Sequence, residues 1–271
     1  MQALLGLLSL YALIPLGSGG AAAPMLLKSP PRAGPGRPSI VDDDTISLLP
    51  DDSDEPTEMG PCQAMATVRF WALWLIFGVT VGGDVLTLNI LSSIVKSRGE
   101  DPDIASMCVI IVMAADTLSR FGSGFAVSAG ASPGLLLCFG PLLMVIAQLM
   151  LATDRGPPLL YLACVVTGLS DGIVWSLAPL LTGRLFGLAA AGRNFGMIVL
   201  SAACFALLLS LGLEPAVYEA HREPGAAGCL GVECFALTHY VAAGLGGVGV
   251  AVSIHLKRQI AATSNPTVAP A

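Results

Sequence analysis

Residues 70–94 read FWALWLIFGVTVGGDVLTLNILSSI, an apolar run whose one charged side chain is Asp84. A helix of about 20 such residues crosses the roughly 30 Å hydrocarbon core of a bilayer while bonding its own backbone groups. Five runs of the same kind follow, at residues 104–129, 134–153, 158–181, 195–213 and 235–255. Short polar connectors such as 96–103 and 154–157 allow only antiparallel neighbours. The chain is therefore read as an all-α membrane protein, a six-helix transmembrane bundle spanning residues 70–258.

Composition agrees. Of 271 residues 54% are hydrophobic and 12% charged, with a mean hydropathy of +0.77, where a soluble domain carries about a quarter charged residues. The net charge of −6 does not describe a surface, because 8 of the 19 acids lie between Asp42 and Glu58. No nucleic-acid or acidic-substrate partner is read from it. The expected partners are the lipid bilayer and a small-molecule solute.

Ahead of the bundle, residues 1–27 are expected to form a partial N-terminal transmembrane segment and 28–69 an acidic, disordered cytoplasmic loop; residues 259–271 follow as a cytoplasmic tail. The rival for the first segment is a cleaved signal peptide, with small residues at 21–23 but no basic residue before the apolar stretch. Lys and Arg collect on cytoplasmic loops. With loop 28–69 inside, Lys28, Arg32, Arg37, Arg69, Arg120, Arg184, Arg193, Lys257 and Arg258 fall towards the cytoplasm, against Lys96, Arg98, Arg155 and Arg222 outside. That bias favours the span.

This orientation puts Cys229 and Cys234 in the largest outer loop, a candidate disulfide in an oxidising compartment. Cys108, Cys138, Cys164 and Cys204 fall inside apolar runs and read as small hydrophobes. Within loop 28–69, Asp44 stands four residues before the pair Leu48 and Leu49. It is similar to an acidic dileucine sorting signal, which clathrin adaptors read and which directs cargo to endosomal, lysosomal or vacuolar membranes; the plasma membrane is the alternative.

Charges inside a span are costly and mark candidate sites. Asp84 and Asp171 each lie near the middle of a run, and Trp175 follows Asp171 by one helical turn. A carboxyl group there can exchange a proton and couple it to solute movement, or serve as a structural hydrogen bond. Asp171 and Trp175 are placed together on a cavity wall. Asp116 and Arg120, four apart, are a candidate structural ion pair. His239 reads as a packing residue. Clustered glycines, Gly78 with Gly82, Gly122 with Gly124, and Gly244, Gly246, Gly247 and Gly249, suggest close helix approaches, and Trp71 and Trp74 suit an interface. No metal-ligand cluster, nucleophile–base set or phosphate loop is visible, so neither enzyme chemistry nor a cofactor is expected.

Three stretches together resemble the nodulin-like branch of the major facilitator superfamily, over roughly residues 64–256. They are Ser170-Asp-Gly-Ile-Val-Trp-Ser-Leu-Ala-Pro179 with Arg184-Leu-Phe-Gly-Leu188, Cys229-Leu-Gly-Val-Glu-Cys-Phe-Ala-Leu-Thr238, and, less specifically, Ser119-Arg-Phe-Gly-Ser-Gly124. The last departs from the superfamily pattern, since Ser128 stands where a loop aspartate is expected. The resemblance implies the C-terminal half of a twelve-span secondary transporter of a small solute, partnered by a complementary N-terminal half or a second copy. The alternative is a non-transporting scaffold or regulatory relic, or a fragment inactive alone.

Overall fold

In the computed structural model the described residues are 58–153, 156–223 and 228–263. The apolar segment 1–27, the motif Asp44, Leu48 and Leu49, most of loop 28–69 and most of tail 259–271 lie outside them.

Among the described residues every regular element is helical. A short α1, Pro61–Met65, leads into α2, Val68–Ser97; then come α3, Asp103–Ser128; α4, Pro133–Ala152; α5, Pro157–Phe186; and α6, Ala191–Leu207. A π-helical turn, Leu208–Leu213, carries α6 into α7, Glu214–His221, and α8 is Glu233–Thr263. Six helices are long and apolar enough to cross a membrane, with α6, the π turn and α7 forming one of them. The protein is an integral multi-pass membrane protein.

Local chemistry sets the boundaries. Thr67 caps α2, its hydroxyl accepting from the Phe70 N–H at 3.2 Å. Pro133 and Pro157 open α4 and α5, where a missing N–H is harmless. Gly130, with φ +94°, lets the chain reverse between α3 and α4. Pro141 and Pro179 fall inside α4 and α5; Pro179 removes the N–H that would have bonded the Trp175 carbonyl. The π turn lies just ahead of Pro215, which has no N–H for the Leu211 carbonyl, so the fifth span runs past the 195–213 read from hydropathy.

The most central helix is α2: 72% of its membrane window is buried, against 28% for α3. Contact registers give directions. Gly78 and Gly82 of α2 meet Ser201 and Phe205 of α6, so those two run parallel. Phe77 meets Trp175 and Asp84 meets Ser170, so α2 and α5 are antiparallel. Gly246 and Gly249 of α8 pack on α4 around Met144 and Pro141. Gly122, Gly124, Gly244 and Gly247, by contrast, have open space where a Cβ would stand; they do not serve close helix contacts among the described residues.

Candidate functional site

Two polar clusters lie within the spans, one around Arg120 and Asp171 and the other around Gln148 and His239. The first begins with a tight crossing. A Cβ on Gly168 or Gly172 of α5 would run into the carbonyl oxygens of Val112 and Asp116 on α3. With no side chain in the way the two backbones touch, and the Ser119 hydroxyl donates to the Leu169 carbonyl across the seam at 2.7 Å.

That closeness brings α3 charges to α5. Arg120 Nε donates to both Asp116 oxygens, at 2.9 and 3.0 Å, and Arg120 Nη2 stands 3.9 Å from Asp171 Oδ2. The guanidinium carbon also sits 5.4 Å from the Trp175 ring centre, in cation–π range. Trp175 in turn packs edge-on against Phe77 at 5.0 Å and near Phe195 at 6.3 Å. This group lies at the rim of the bundle: the Arg120 side chain is 43% exposed and that of Asp171 18%.

Asp84 lies deeper, 2% exposed. Its Oδ2 is 3.3 Å from the Ser170 hydroxyl, which is 3.0 Å from the Gly140 carbonyl. Asp84 Oδ1 and Asp171 Oδ1 are buried without a hydrogen-bond partner. Ser170 therefore connects α2, α4 and α5 at one point.

In the second cluster, Gln148 Nε2 donates to the Gly83 carbonyl at 3.1 Å and to Thr87 Oγ1 at 3.0 Å. A carbonyl only accepts, so the amide orientation is fixed and Gln148 Oε1 faces His239 Nδ1 at 2.6 Å. His239 must carry its proton on Nδ1; its buried Nε2 has no partner.

The residues read from sequence thus separate. Asp116, Arg120, Asp171 and Trp175 form one cluster, whereas Asp84 contacts Ser170, the residue before Asp171. Trp71 is 51% exposed and its indole donates to the Met65 carbonyl at 2.8 Å, near the start of α2. Cys229 and Cys234 are joined by a disulfide at the opposite end, their Cα atoms 6.0 Å apart, and the Cys229 N–H donates to the Tyr218 hydroxyl at 2.9 Å. Reading by charge alone passed over Ser170, Gln148, Thr87 and the pair Gly168 and Gly172. The Gly-x-x-x-Gly spacing was the available signal for the last two. No group of three or more His, Cys, Asp or Glu side chains among the described residues is arranged to hold a metal ion.

Compared with known proteins, the chain matches no family model and no curated protein.

Proposed function

We propose that this bundle is half of a major-facilitator-type secondary transporter, and that the rim formed by Asp116, Arg120, Asp171 and Trp175 lines the solute path. One observation carries the reading: a guanidinium with 43% of its side chain exposed sits within a transmembrane helix. Even the most lenient scales put an arginine at the bilayer centre at about 2.5–3.5 kcal/mol unfavourable. This face is therefore turned to water or to another protein surface. A complementary N-terminal half or a second copy placed there encloses a path at the membrane midplane, where secondary transporters bind their solutes.

The chemistry of the rim suits a small polar solute. Arg120 offers the Nη donors that Asp116 does not use, Asp171 an acceptor, and Trp175 an apolar wall. Asp84 and Asp171 are the groups proposed to couple proton movement to the solute. The resemblance over residues 170–188 and 229–238 supports the same reading, and the acidic dileucine at Asp44, Leu48 and Leu49 favours an endosomal, lysosomal or vacuolar membrane.

The test is uptake of a panel of labelled small solutes into proteoliposomes containing the full chain, with and without an imposed pH gradient. Uptake that falls at least tenfold in Arg120→Ala and Asp171→Asn, both still inserted, supports the path. Wild-type uptake unaltered by either substitution rules the rim out as the path, and no uptake of any solute favours the scaffold.

A further inference from the structure

Ser170 has one hydroxyl proton and two oxygens in reach. The Gly140 carbonyl, the nearer at 3.0 Å, is an acceptor only. Given to Gly140, that proton leaves lone pairs of Ser170 Oγ facing lone pairs of Asp84 Oδ2 at 3.3 Å. Two bare oxygens in a site sealed from water repel each other.

Charge balance leads to the same place. A carboxylate 2% exposed with no positive partner costs several kcal/mol. Arg120 is bonded to Asp116 and stands 3.9 Å from Asp171, with no ion pair to Asp84. Asp171 of α5, the residue after Ser170, and Asp116 of α3 are both acids. From α4 and α8 come Gln148 and His239, bonded to each other on the Gly83 flank, and α6 contributes Phe205 and Ala206 beside Gly82. Thr80 Oγ1 and Thr167 Oγ1, one turn along the same helices from Asp84 and Ser170, are also buried without partners.

We propose that Asp84, Ser170 and the Gly140 carbonyl form a binding site for one small monovalent cation, a proton or a sodium ion, bridging Asp84 Oδ2 and Ser170 Oγ. Oxygen-only donors suit a hard cation. A proton makes Asp84 the donor to Ser170, which passes its own hydrogen to Gly140, and the three oxygens are satisfied in sequence. A sodium ion instead draws on the free Oδ1 as well. The site is separate from the rim, so cation and solute occupy different ends of the residue pair Ser170 and Asp171. Its role as a coupling site rests on the transporter reading; its existence does not.

The experiment uses the purified full chain in detergent and needs no solute. Infrared spectra recorded through deuterium exchange read the proton arm: a protonated-carboxyl C=O band, absent from Asp84→Asn and displaced in Ser170→Ala, identifies a proton. Thermal unfolding in sodium chloride against choline chloride at equal ionic strength reads the other: a rise of several degrees, lost in Asp84→Asn and Ser170→Ala, identifies sodium. Ser170→Ala keeps the test valid if Asp84→Asn fails to fold. Neither signal in the wild type, or a signal indifferent to Ser170→Ala, overturns the proposal. Uptake into proteoliposomes without either signal leaves the transporter reading standing and ends this one; either signal without uptake does the reverse.

Discussion

Gly172 of α5 rests on the carbonyl oxygen of Asp116 of α3, nearer than any Cβ could sit. The neighbouring obstacles, Ser119 Cβ at 2.7 Å and the Arg120 nitrogen at 3.1 Å, belong to backbone or to its first side-chain atom, so they cannot swing aside. The crossing that brings Arg120 to Asp171 thus depends on a missing side chain.

Gly172→Ala should therefore destabilise the bundle by about 1–3 kcal/mol through overpacking, and Gly172→Val by more. Gly122→Ala and Gly124→Ala, with open space at the Cβ position, should be neutral, or gain up to about 1 kcal/mol from helix propensity. Unfolding in mixed micelles with increasing dodecyl sulfate measures all four; equal losses at Gly172 and Gly122 would refute the crossing.

Arg120 makes both short bonds to Asp116 from Nε, an atom lysine lacks. Arg120→Lys should accordingly keep the charge and lose the fork and the contact with Trp175. With the Arg120 side chain 43% exposed and that of Asp116 12%, a double-mutant cycle with Asp116→Asn and Arg120→Gln should give a coupling of about 1 kcal/mol. Solute uptake should suffer more than stability does, because the site asks for geometry and the bundle for packing. A lysine variant with full uptake would show that charge alone suffices.

The Gln148 and His239 pair gives a different signature. Gln148→Met strands the buried Nδ1–H of His239, at a cost of about 1–3 kcal/mol. Adding His239→Phe removes the stranded donor, so the double variant should recover part of the loss. Thr87 still donates to the Gly83 carbonyl at 3.1 Å in both. Thermal unfolding of Gln148→Met, His239→Phe and the double variant decides the matter: losses that simply add would mean the pair is not coupled.

Glu58, the last acid of the acidic run, accepts from the Ala189 N–H at 3.0 Å. Beside it the Met59 N–H donates to the Phe186 carbonyl at 2.9 Å, and Asn194 Nδ2 to the Met59 carbonyl at 3.0 Å. The segment before α1 is thereby fastened to the turn between α5 and α6. Gly187 allows it, with φ +86° and a Cβ position only 2.6 Å from the Glu58 carboxylate. Glu58→Ala should raise amide exchange at Met59 and Ala189 by about tenfold, the equivalent of a charge-assisted bond near 1.4 kcal/mol. Exchange confined to Ala189 would mean the strap holds without its acid.

How far the sequence carried this structure differs by scale. The six spans were plain because hydropathy over about 20 residues reports the solvent each segment needs. The pairing of Asp116 with Arg120 was plain because one helical turn is a local distance. What escaped reading were contacts between helices: Ser170 with Asp84 are 86 residues apart, and Glu58 with Ala189 are 131 apart. No periodicity encodes which face of α5 meets α2. The open Gly122 and Gly124 show the converse, since a small residue permits a close approach without causing one.

Sidedness can be read from the cysteines, because Cys62 is exposed at the end where α2 begins while Cys229 and Cys234 close a disulfide at the other. The orientation inferred from Lys and Arg places Cys62 in the cytoplasm. In sealed vesicles of known sidedness, a membrane-impermeant maleimide added outside should then leave Cys62 unlabelled until the membrane is permeabilised. Cys229 and Cys234, 3% and 0% exposed, should be labelled only after reduction and unfolding in dodecyl sulfate, since disulfide sulfurs carry no thiolate and the buried thiols must first be uncovered. Losing this short loop closure should cost about 2 kcal/mol by chain entropy, so the double variant Cys229→Ser and Cys234→Ser should fold yet melt earlier. Labelling of Cys62 from outside would invert the bundle, move the acidic loop out of reach of cytosolic adaptors, and remove the basis for a dileucine signal at Leu48 and Leu49.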